Sequence, residues 1–98
     1  DILLIGENTD AVLAKYGNKD HQSILLIVEY PSGEKATEAS TSFIDNYLPD
    51  LQGNRTLKLE DGMYSGIEQK ENILVLVFNA ESGKDAEKLI DDVLKILP

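Results

Sequence analysis

Two short apolar runs, Ile24-Leu25-Leu26-Ile27-Val28 and Leu74-Val75-Leu76-Val77-Phe78, constrain this chain more than anything else in it. Each is too short for a helix, rich in Ile, Leu and Val, and without polar alternation, the pattern of a strand buried on both faces. The runs lie 50 residues apart, and the segments after them match at the same offset. Ser32-Gly33 falls on Ser82-Gly83, and Ala36 falls on Ala86. Ala39, Ser40, Phe43, Ile44 and Tyr47 then fall on Leu89, Ile90, Val93, Leu94 and Leu97. Two elements thus repeat in order and phase, over pseudo-repeats of about 1–50 and 51–98. Few positions are identical, so shared physics accounts for the match as well as duplication does.

The second element of each pair is a helix. Ser32 and Ser82 are candidate N-caps, whose hydroxyls satisfy backbone N–H groups that a first turn leaves open. Residues 33–48 and 83–97 carry apolar side chains at spacings of three and four. Pro49 stops the first helix. Opposite the second stripe lie Lys84, Glu87, Lys88, Asp91, Asp92 and Lys95, a solvated face.

Weaker strands precede the apolar runs, at 11–16 and 63–69, through short polar loops that favour antiparallel hairpins. Two further short strands are expected at Ile2–Ile5 and Thr56–Glu60. The whole predicts one α+β domain over residues 1–98: an antiparallel sheet of about four to six strands with two helices on one face. Alternation divides the central strands. Ile24, Leu26, Val28 and Tyr30, with Leu74, Leu76 and Phe78, are the bulkier set and are expected under the helices. Leu25, Ile27, Val75 and Val77 then face away, and a wet face should carry polar residues there. These four are the candidate interface, to be covered by the chain itself, by a second copy in a homodimer, or by the rest of a parent protein.

Composition narrows the partners. Nine basic against 18 acidic residues give a net charge of −9, which repels the phosphates of nucleic acid and of anionic membranes. No apolar run approaches the ~18 residues of a membrane-spanning helix. There is no cysteine, so disulfides, thiolate metal sites and a cysteine nucleophile are excluded. The chain opens at Asp1 and not at Met, so it is expected to be a processed or excised piece.

The segment Thr9-Asp10-Ala11-Val12-Leu13-Ala14-Lys15-Tyr16, with Leu25-Leu26-Ile27-Val28-Glu29-Tyr30-Pro31 after it, resembles an uncharacterised bacterial family. In that family a "TEAVLARY"-like strand precedes an "LLLIRYP"-like strand and an alanine-rich helix. Asp10 stands where the family has Glu, and Lys15 and Glu29 where it has Arg. The second half, from Asn79-Ala80 into Glu81-Ser82-Gly83, is similar too, so the likeness covers most of the chain. It implies a bacterial source and often an exported, periplasmic or envelope protein. It brings no activity with it.

Constellations that carry chemistry are thin. His21, the one histidine, is expected exposed in the loop Gly17–Gln22, and catalysis would need a partner brought to it by the fold. Asp91-Asp92, Glu60-Asp61 and Glu7-Asn8-Thr9-Asp10 are acidic, but none has the alternating oxygens and closing Glu of a calcium loop. Ser82-Gly83-Lys84 lacks the upstream glycine and the Ser/Thr of a phosphate loop. Tyr16, Tyr30, Tyr47 and Tyr64 read as core-edge residues. No catalytic, cofactor or metal residues are assigned. The expected function is a non-enzymatic interaction or assembly module. The alternative is a small-ligand binder with a pocket between sheet and helices, where Ala36, Ala39 and Ser40 leave room. A carboxylate-based hydrolase ranks third.

Overall fold

The computed structural model describes residues 2–17 and 19–97; Asn18 of the expected hairpin loop lies outside them. The elements run β1 (Asp10–Gly17), β2 (Gln22–Glu29), α1 (Gly33–Tyr47), β3 (Thr56–Lys58), β4 (Tyr64–Lys70), β5 (Ile73–Ala80) and α2 (Gly83–Ile96). All five strands form one antiparallel sheet in the order β1-β2-β5-β4-β3. The α+β class, the two hairpins and both helices are as expected. The strand expected at Ile2–Ile5 is turn and coil, with Leu4 in a left-handed conformation (φ 52°).

Both helices begin as their serines dictate. Ser32 Oγ accepts from the Lys35 amide at 3.1 Å, and Ser82 Oγ from the Asp85 amide at 3.0 Å. A polar knot holds the start of α1. Gln69 Nε2 donates to the Gly33 and Glu71 carbonyls, at 3.3 and 2.7 Å, and Asn72 Nδ2 donates to the Tyr30 carbonyl at 2.8 Å. The hydroxyl of buried Tyr30 donates to the Leu3 carbonyl at 2.6 Å, fastening the N-terminal segment.

The helices do not share a face. α1 buries Ala36, Ala39 and Phe43 against Val28, Tyr30, Leu74 and Leu76. α2 buries Ala86, Ile90 and Val93 against Leu25, Val75 and Val77, on the opposite side. The expectation of two helices on one face is therefore corrected, and the cause is one residue. On β4, Tyr64 and Gly66 pair with Ala80 and Val77, so β5 carries one residue more than its partner there. This is a β-bulge, and Asn79 within it is left-handed (φ 62°). Beyond the bulge, alternation is inverted. Ala80 joins Val75 and Val77 instead of Leu74 and Leu76, and α2 leaves on that side. In β2 no bulge intervenes, Tyr30 stays with Val28, and α1 leaves on the other side.

α2 also sits close to the sheet. A Cβ on Gly66 would come within 2.9 Å of the Arg55 carbonyl and 3.1 Å of the Ile90 Cδ1, so only glycine fits beneath the helix. Opposite the bulge, Ser65 is buried, and its Oγ has no hydrogen-bond partner among the described residues.

The bulge is testable. Asn79→Val forces a β-branched residue into the left-handed region and is expected to cost about 2 kcal/mol, whereas Asn79→Gly is expected to cost under about 1 kcal/mol. Urea unfolding curves measure both, and equal losses would show that the conformation of residue 79 is not what matters. Ser65→Ala removes an unsatisfied hydroxyl and is expected to leave stability unchanged or to raise it by about 1 kcal/mol in the same assay.

Candidate functional site

The four residues expected to form an interface are largely occupied by the chain itself. Leu25, Val75 and Val77 are buried, and Ile27 is half-buried beside them, all against α2. The inversion at Asn79 brings the second helix over this face, so it is core and not a contact surface. The interface assigned to Leu25, Ile27, Val75 and Val77 is thus corrected.

The bare surface lies at the next strand. α2 packs over β3, β4 and β5, and α1 over β4 and β5, which leaves the β1 end of the sheet outside both helices. In β1, Val12 is 64%, Leu13 57% and Tyr16 47% exposed. Register places Val12 beside Ile27 and Ala14 beside Leu25, on the α2 side. It places Leu13 beside Leu26 and Ala11 beside Val28, on the α1 side. Apolar side chains are therefore exposed on both faces of one strand. β1 is also an edge strand of eight residues, and among the described residues no segment pairs with its outer side. Such an edge presents open N–H and C=O groups. The opposite edge, β3, has only three residues and ends on Lys58, which blunts it.

An arginine ties α2 to the β3–β4 side of the sheet. Arg55, just ahead of β3, reaches Asp91 at 2.8 Å and Glu87 at 3.4 Å on α2, and Glu68 at 3.9 Å on β4. The hydrogen bond from Arg55 holds the Asp91 carboxyl below its ordinary range, and the Arg55 and Lys95 charges act the same way. The same bond to Asp91 raises Arg55.

Beside β1 on the α2 side lies a groove of about 460 Å³, lined among others by Tyr16, His21, Ser23, Glu81, Asp85 and Lys88. His21 is not an exposed loop residue, contrary to expectation: its side chain is 24% exposed and engaged with the bulge. Its Nε2 lies 2.7 Å from the Asn79 carbonyl, and Nδ1 lies 3.7 Å from Glu81 Oε1, an ion pair when the ring is charged. Ser23 Oγ donates to the same carbonyl at 3.4 Å, and Asn79 Nδ2 donates to the Gln22 carbonyl at 2.9 Å. The imidazole and the hydroxyl thus converge on one backbone oxygen, the geometry of a clamp on the bulge and not of a base activating a nucleophile.

Several of the remaining candidates are engaged elsewhere. Asp92 pairs with Lys88 at 2.9 Å, Asp61 accepts from the Met63 amide at 2.9 Å, and Ser82 caps α2. Among the described residues, no three His, Asp or Glu side chains gather to hold a metal ion. Ala36 and Ala39 are completely buried, so the room they leave brings α1 close to the sheet. Burial raises Tyr30 above its ordinary pKa, while Tyr47 stacks in a trio with Phe43 and Phe78. Tyr16, at the end of β1, is the most exposed of the four tyrosines.

β1 itself is legible in the sequence as a strand, yet its exposure is not. The missing signal is the bulge, since Asn79-Ala80 also reads as an ordinary strand end. No family model, no curated protein and no solved structure matches the chain.

The Arg55 pair gives a pH prediction. A carboxylate depressed in the folded state stabilises above its unfolded value and loses that contribution as pH falls through the folded one. Asp91→Asn is therefore expected to be less stable than the parent at pH 7. Thermal melts at a series of pH values should show the two converging as pH drops below the ordinary carboxylate range of about 4. A gap that persists in acid would assign the effect to packing.

Proposed function

We propose that this chain is a non-enzymatic interaction or assembly module, part of a bacterial, envelope-associated protein, and that it docks through the outer edge of β1. One observation carries this reading. β1 exposes apolar side chains on both faces together with an open backbone edge, while β4 and β5 are covered on both faces by the chain's own helices. An extended partner strand added there would gain ladder hydrogen bonds and contacts with Val12 on one side and Leu13 on the other. The non-enzymatic part is supported by the clamp arrangement of His21 and Ser23 and by the pairing of the acidic side chains. The bacterial and envelope part rests on the sequence resemblance.

Photo-crosslinking in the producing cell tests the docking edge. A benzophenone side chain at Val12 or Leu13 is expected to capture a specific macromolecule, identified by mass spectrometry, whereas one at Lys84 on α2 captures none. The captured chain is then a second copy, a segment of the parent protein, or a different protein. Equal, non-specific adducts from all three positions would remove the basis for a docking edge.

A further inference from the structure

Resting on β1 as the docking edge, we infer that its occupant is a second copy of this chain, with the two β1 strands paired antiparallel about a two-fold axis at Leu13. The axis stands perpendicular to the sheet, and the two sheets become one of ten strands.

The register follows from the pleat. Residues directly opposite in an antiparallel pair point to the same face, so a symmetric joint can shift only in steps that keep the faces matched. With Leu13 opposite Leu13 of the second copy, Val12 faces Ala14, Ala11 faces Lys15, and Asp10 faces Tyr16. No like charges are opposed, which is the arrangement that destabilises a strand pair. One allowed shift sets Leu13 against Lys15. The other moves Lys15 and Tyr16 beyond the partner strand and shortens the ladder.

The same register continues the apolar rows already present. On the α1 side, Leu76, Leu26 and Leu13 lie side by side across β5, β2 and β1. The two-fold axis extends this row with Leu13, Leu26 and Leu76 of the second copy. On the α2 side, Val75, Ile27 and Val12 form a row, and Val77, Leu25 and Ala14 form another. In the dimer Val12 of one copy meets Ala14 of the other, so each of these rows runs into its counterpart.

Charge is distributed to permit this contact. Residues 10–29 hold three acids, Asp10, Asp20 and Glu29, against Lys15 and Lys19, a net of −1 within a chain of −9. The hairpin that meets its twin is thus nearly neutral, and the acids across the groove from β1, Glu81, Asp85 and Asp92, sit beside Lys88. β1 itself carries one acid, Asp10, and one base, Lys15, and so no net charge to hold a polycation, which favours a second copy.

The absence of cysteine makes the test direct, because any introduced thiol is the only one. Under mild oxidation, Leu13→Cys is expected to give a covalent dimer rapidly. Lys15→Cys would lie about four residues, or ~13 Å, from its twin and is expected to react poorly. Lys84→Cys, on exposed α2, measures random collision. Light scattering of the unmodified chain is expected to rise from 10.8 kDa toward twice that mass with concentration. Leu13→Lys, at an exposed position that leaves the fold intact by circular dichroism, should weaken dimerisation about tenfold or more. A parent mass of 10.8 kDa at every concentration, or crosslinking at residue 13 no faster than at residue 84, would overturn the second copy. Capture of a different, identified protein through Val12 or Leu13 would then leave the docking edge standing. Loss of that capture as well would end both readings.

Discussion

Asn79 is a single residue in a left-handed conformation, and most of the architecture depends on it. By opening a bulge in β5 it inverts the alternation just before α2 begins, so that Ala80 points to the side opposite Phe78. The two helices then cover opposite faces of β4 and β5. Runs without polar alternation, such as Leu74 to Val77, become tolerable only in that arrangement, because each residue meets a helix on one side or the other. With both helices on one face, Leu25, Val75 and Val77 would have been left in water.

The bulge is held from outside the strand that contains it. His21, Gln22 and Ser23, at the turn of the β1–β2 hairpin, all bond to Asn79, and His21 also faces Glu81 at the entrance to α2. The hairpin that carries the bare edge and the turn that aims the second helix are therefore one mechanical unit. Arg55 completes the placement from the other side, drawing Glu87 and Asp91 toward β3 and β4. Helix α2 is thus fixed at its entrance and along its middle, on the β3–β4 side of the sheet.

Sequence alone reveals the elements well and their sidedness poorly, for a physical reason. Ser32 and Ser82, Pro49 and the stripes of the two helices act locally, so a short window reads them. The face taken by each helix depends on the parity of the strand before it, and one inserted residue reverses parity. Nothing in Asn79-Ala80 distinguishes a bulge from a strand end, beyond asparagine's tolerance for positive φ. The error passes directly to the candidate interface. Leu25, Ile27, Val75 and Val77 do form a face in need of cover, and the cover is the chain's own α2. His21 misleads for a similar reason: its partners Asn79 and Glu81 are distant in sequence, and only the hairpin's packing brings them near.

The exposed strand is what remains after the chain's own cover has been used. Each of the two helices is about 10–12 Å across with its side chains. A five-stranded sheet with strands about 4.8 Å apart is nearly twice as wide. One helix per face, packed toward β4 and β5, cannot also shield β1. Edge strands in that position are ordinarily protected by charge, proline or brevity. β1 has eight residues, no proline and one lysine, and Val12, Leu13 and Tyr16 are all about half exposed or more. The short β3 edge, by contrast, is blunted, so the two ends of the same sheet are treated differently. That asymmetry gives the molecule a direction: one edge is short and blunted, the other long, apolar and unpaired among the described residues.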